Sequence, residues 1–151
     1  LSQYRQQFPN VNLVLQELTT TQQEESLQNH HIEVGFCHPP LKDDSLQVEP
    51  ILQESLVVAL PSTHPLARKT RVPIRALADE SFVLFPRHLG PGLYDQIVSC
   101  CQQASFSPNV TQEAVQMQTI IGLISANMGV ALVPASLQNL QRAGVVYKPL
   151  Q

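Results

Sequence analysis

Residues 82–104 read FVLFPRHLGPGLYDQIVSCCQQA. Phe82, Val83, Leu84 and Phe85 are four consecutive apolar residues. That pattern suits a short strand buried on both faces, as in a parallel sheet. Pro86 ends the run. Pro86, Gly90, Pro91 and Gly92 predict a loop that is neither helix nor central strand. From Leu93 the apolar positions fall at helical spacing, with Leu93, Ile97, Cys100, Cys101 and Ala104 on one face. A strand, a glycine-rich loop and a helix put the loop at the carboxyl end of the strand. Open α/β sheets bind ligands there, and unbonded amides at the helix start favour an anion.

The segments on either side have the same rhythm. Upstream, Leu1, Tyr4 and Phe8 mark a helix that Pro9 stops. Val11, Leu13 and Leu15 alternate with neighbours as in a strand. One threonine of Thr19-Thr20-Thr21 can cap a helix over 22–29, and a second strand follows at 32–37. His38-Pro39-Pro40 breaks the pattern. Two extended pieces, 48–52 and 56–60, then carry the chain across a boundary near 53–55. Downstream, 110–114 predicts a strand. Met117, Ile120, Ile121 and Ile124 have i, i+3, i+4, i+7 helical spacing. A buried strand at 130–133, a short helix capped by Ser136, Gly144 as its stop and an extended 145–150 complete the order. Helix and strand in alternation predict an α/β fold.

Composition narrows the function classes. The chain has 151 residues, a hydrophobic fraction of 43%, a charged fraction of 14% and a net charge of −3. Those values support a folded core and argue against disorder. No basic run exceeds Arg68-Lys69, so this segment on its own is not expected to bind nucleic acid. No apolar run approaches the ~20 residues that span a bilayer. Leu1-Ser2-Gln3-Tyr4-Arg5 reads as the middle of a helix and not as a secretory leader. The cysteines are Cys37, Cys100 and Cys101. An odd count with two adjacent is a poor disulfide framework, which predicts reduced thiols and a cytoplasmic location.

Several phrases then agree together: FPNVNLVLQEL, a threonine-bearing turn, IEVGF, LVVALPSTHPLA, IIGLISANMGVALVPASL and GVVYKPL. In this order they resemble the effector-binding domain of a LysR-type transcriptional regulator, over nearly all of the chain. The resemblance implies two Rossmann-like lobes, as in type 2 periplasmic binding proteins, with a ligand cleft between them. Residues 1–54 would be part of lobe one, which is incomplete. Residues 55–144 would form lobe two, and 145–151 a crossover strand returning to lobe one. The resemblance further implies a small-molecule effector, a homodimer or homotetramer, and RNA polymerase as a further partner. DNA would be met only through an N-terminal helix-turn-helix that is not in this stretch, so the chain is expected to be a trimmed piece. Three positions depart from the family: His30 and Asn127 stand where glycine is usual, and Glu33 where aspartate is. The first two need a left-handed backbone to close a helix. Asn and His tolerate that conformation better than most residues.

Three pieces of the chain converge on such a cleft. The resemblance implies a ligand contact at Thr20, although a hydroxyl in this run can equally cap its helix. It also implies that Pro91, Gly92 and Leu93 contact a carboxylate effector. Arg87 could add positive charge there. Phe36 and His38 on one side and Met117 on the other are candidates to line the wall, with core packing the alternative for Phe36 and Met117. Gly90-x-Gly92 is no dinucleotide fingerprint, because Asp95 holds the place of the third glycine. His30, His31, Cys37 and His38 match no zinc spacing, so neither metal nor cofactor is expected. Cys37 and His38 are neighbours near a strand end, where side chains alternate, which argues against a catalytic pair. A solute-binding protein of a transport system is the competing reading.

Overall fold

The computed structural model describes residues 1–151. Its regular elements are α1 (Ser2–Gln7), α2 (Thr20–Gln28), β1 (Leu56–Pro61), β2 (Ser81–Leu84), α3 (Pro91–Gln103), β3 (Asn109–Glu113), α4 (Met117–Ser125), β4 (Ala131–Pro134) and β5 (Val145–Pro149). Short 3-10 turns fill the connections at Pro65–Arg68, Ile74–Leu77, Arg87–Leu89 and Ala135–Asn139. No helix is long and apolar enough to cross a membrane.

The strands form one row. β1 lies between β4 and β5 and pairs with both antiparallel. β2 pairs with β3 in parallel, with a register shift after Phe82. A parallel bridge between Phe82 and Val130 joins the two groups. There the Val83 amide donates to Val130 O at 2.9 Å and the Val130 amide to Ser81 O at 2.8 Å. The order across the row is therefore β3-β2-β4-β1-β5. Gly129 sits at this junction with φ +143, and any Cβ on it would run into the Ser81 carbonyl oxygen. Only glycine allows β4 to start so close to β2.

The apolar runs are buried as the sequence predicts. Val58, Ala59 and Leu60 of β1, Phe82 and Val83 of β2 and Leu132 of β4 are fully enclosed or nearly so. Helix α4 packs on β1, β2 and β4 through Ile120, Ile121 and Ile124. Helix α3 contributes Leu93, Ile97 and Cys101, one face at i, i+4, i+8. Full burial of each large aliphatic side chain contributes about 1.5–3 kcal/mol.

Several expectations are corrected. The sheet is mixed, because β1 runs antiparallel to both neighbours; a run buried on both faces does not encode strand direction. Residues 11–15, 32–37 and 48–52 form no ladder. Val14, Leu15, Val34, Phe36, Ile51 and Leu52 are all about two-thirds exposed or more. Alternation makes a strand only where another strand supplies hydrogen bonds, and none lies beside these segments. Helix α3 begins at Pro91, two residues before the expected start, because proline at the first helical position gives up an N–H that would be unbonded anyway. Ser136 caps no helix. Its amide and hydroxyl donate to the Glu54 carboxylate at 2.6 and 3.1 Å, which ties the segment before β1 to the turn after β4.

Candidate functional site

The threonine run divides its labour. Thr19 is the N-cap of α2 and forms a capping box with Gln22. The Gln22 amide donates to Thr19 Oγ1 at 3.4 Å, and Gln22 Oε1 accepts from the Thr19 amide at 3.0 Å. Thr20 is the first helical residue and half-buried. Thr21 Oγ1 donates to the His88 carbonyl at 2.8 Å, across 67 residues of sequence. That bond sets the first turn of α2 against the loop leading into α3.

The same loop meets the chain a second time. Gly92 is buried in the first turn of α3. A Cβ there would lie 2.6 Å from the His38 carbonyl oxygen and closer still to that of Pro39. The backbone of 38–39 therefore rests directly on Gly92. Pro91 carries no N–H, and the Tyr94 amide bonds Gly90 O at 3.4 Å. The Gly92 and Leu93 amides have no carbonyl four residues back in the helix to bond. A third link joins Gln116, the residue before α4, to Glu17 at 3.3 Å.

Of the residues singled out in the sequence, His38 and Gly92 meet directly through the His38 carbonyl, Thr20 precedes the bonding Thr21 and Arg87 the accepting His88, and Leu93 is buried in the core. Thr21, His88, Pro39, Glu17 and Gln116 make the cross-chain contacts; the threonine run, the glycine-rich loop and the start of α4 are marked in the sequence, but which atoms meet is not, since each contact is remote in the chain. Phe36 is 68% exposed, which removes the core-packing reading for it. Met117 is half-buried against the core.

Arg87 already has a partner. Its Nε and Nη2 donate to the two carboxylate oxygens of Asp95, each at 2.7 Å. This paired fork raises the guanidinium pKa and holds the Asp95 carboxyl below its ordinary value. Cys37 sits in a different environment. Burial, and then the charge of Glu24, push its thiol up, which disfavours a thiolate. Glu24 is itself buried and accepts from the Lys42 and Asp43 amides. His30, His31, Cys37 and His38 are not drawn into any group of three or more metal-ligating side chains.

The model of the LysR substrate binding domain family matches residues 1–151. The regulator AlsR of Bacillus subtilis is 37% identical over 148 residues, covering 98% of this chain and 49% of that protein. BenM of Acinetobacter baylyi is 31% identical over 149 residues, covering 97% of this chain and 49% of that protein. The solved effector-binding domain of BenM with its effector benzoate superposes with a TM-score of 0.84 at 30% identity, covering 99% of this chain and 68% of that one. A variant of the same domain reaches 0.88 at 30% identity, with 99% and 70% coverage. The chain belongs to the LysR substrate-binding domain family and has its type 2 periplasmic-binding-like fold. It spans about half the length of the curated relatives it matches.

Proposed function

We propose that this chain is the ligand-sensing part of a LysR-type transcriptional regulator. In this reading residues 1–54 belong to one lobe, 55–144 form the other, and 145–151 cross back. A small organic carboxylate binds between the lobes, beside Thr20 and the first turn of α3 at Pro91, Gly92 and Leu93. His38 and Arg87 flank it, and Phe36 and Met117 lie on its apolar margins. Binding shifts the balance between two lobe arrangements, which an attached helix-turn-helix domain reads out on DNA in a cytoplasmic homo-oligomer. The chain senses and does not catalyse.

One observation carries this reading. The first turn of α2 meets the 3-10 turn Arg87–Leu89 that leads into α3, remote in sequence, in a seam through Thr21 and His88. Two helix starts at one gap favour an anion. The benzoate bound by BenM, a relative of the same fold, supports the choice of a carboxylate.

Titration calorimetry of the complete regulator with benzoate and a panel of small carboxylates tests it. Saturable binding is expected, weakened about 3- to 10-fold in Thr20→Val, as for a lost hydrogen bond. Absence of heat with every acid would overturn the carboxylate assignment.

A further inference from the structure

We infer that Thr21 and Gly92 are positioning residues that hold the seam closed, Thr21 as a clasp and Gly92 as the seat on which the lobe-one backbone rests. This rests on the effector reading above and extends it to how the cleft is set. The Thr21 hydroxyl reaches the His88 carbonyl at 2.8 Å, so the clasp needs a donor at that position and nothing larger. Gly92 lies under the carbonyl oxygens of His38 and Pro39, with no room for a Cβ. His38 and Pro39 are backbone on both counts and cannot swing aside as a long side chain would. A methyl group at residue 92 must therefore move the whole 38–39 segment outward. The two points flank the first turns of α2 and α3, so together they fix the width of the gap between those turns. Glu17 and Gln116 add only a longer contact at 3.3 Å between exposed groups, too weak to hold the seam alone.

Thr21 needs no contact with the effector, whereas Gly92 is also one of the proposed ligand contacts. The consequence is that cleft width can be altered from Thr21 without changing any proposed ligand contact. Hydrogen exchange of the complete regulator separates this from general destabilisation, because local opening and global unfolding expose different amides. In Thr21→Val and in Gly92→Ala, exchange across residues 17–40 should rise about 3- to 10-fold, the scale of one hydrogen bond, with β1 and β2 unchanged. Thr21→Ser keeps a hydroxyl and should restore wild-type exchange. Benzoate affinity should fall by a similar factor in Thr21→Val and recover in Thr21→Ser. Unchanged exchange in Thr21→Val overturns the clasp, as does a rise spread equally over the sheet. If the wild-type protein binds no benzoate, the carboxylate reading falls, while the exchange comparison still decides the clasp.

Discussion

The Met128 amide donates to the Leu123 carbonyl at 3.0 Å, and the chain between them turns back through Asn127 at φ 61. Asn127 in turn donates to Ile124 O at 2.9 Å. This pair of bonds is a Schellman closure. The same pair recurs at the end of α2, where His31 bonds Ser26 and His30 bonds Leu27, and at the end of α3, where Phe106 bonds Cys101 and Ser105 bonds Gln102. The left-handed residue is His30 at φ 55 and Ser105 at φ 64. All three of the longer helices therefore close through a conformation that suits glycine, with no glycine in place.

Glycine substitution at these positions should stabilise the fold unequally. Asn is the residue that best tolerates a left-handed backbone, while Ser and His pay more. Ser105→Gly and His30→Gly are expected to raise stability by about 0.5–1 kcal/mol, with Asn127→Gly near neutral. Asn127→Ala should cost about 1 kcal/mol. Denaturant unfolding at equal protein concentration checks the order. Equal effects at all three sites would show that the backbone conformation is not the controlling factor.

The closures also mark what a sequence can reveal. His30 and Asn127 were legible because the family resemblance implies glycine at those positions. Ser105 was not, because nothing in QQASFS distinguishes it. The buried strands β1, β2 and β4 were legible as continuous apolar runs, since both of their faces are covered. Residues 11–15 and 32–37 carry as clear an alternation and form no strand, because pairing depends on a neighbour that the local pattern does not contain. The glycine-rich loop was found at the head of α3 from its residue types alone. The clasp from Thr21 was not, because a hydroxyl in a threonine run gives no sign of which remote carbonyl it meets.

Asp95 should titrate below an ordinary aspartate. Its carboxyl is held down chiefly by its hydrogen bonds from Arg87, against an ordinary value of 3.8. A group whose folded pKa is depressed contributes stability above its unfolded pKa and loses it as pH falls through the folded one. The contribution of this pair is thus present at neutral pH and disappears only below the ordinary carboxylate range. Both groups are exposed, so the effect on stability is small and weakened by salt. Carboxyl NMR should give Asp95 a low midpoint that returns to the ordinary value in Arg87→Gln. An unshifted wild-type midpoint would mean that the fork is open in solution, leaving Arg87 free to face an anionic effector.

The three thiols should react in an order set by burial and by neighbouring charge. Cys101 is fully enclosed in the core, and burial, then Cys100, push it up to about 11. Cys100 beside it is only half-buried and is raised by burial alone. Cys37 is half-buried and is raised by burial and by the Glu24 carboxylate. The thiolate is the reactive form, so each thiol should lag behind a free cysteine near neutral pH. A disulfide-exchange reagent is expected to label Cys37 and Cys100 slowly, and Cys101 only as the domain unfolds. Glu24→Gln removes the charge that disfavours the Cys37 thiolate and should speed that site selectively. Cys37 reacting faster than free cysteine in the wild-type protein would overturn this order and make a cysteine-based activity worth testing.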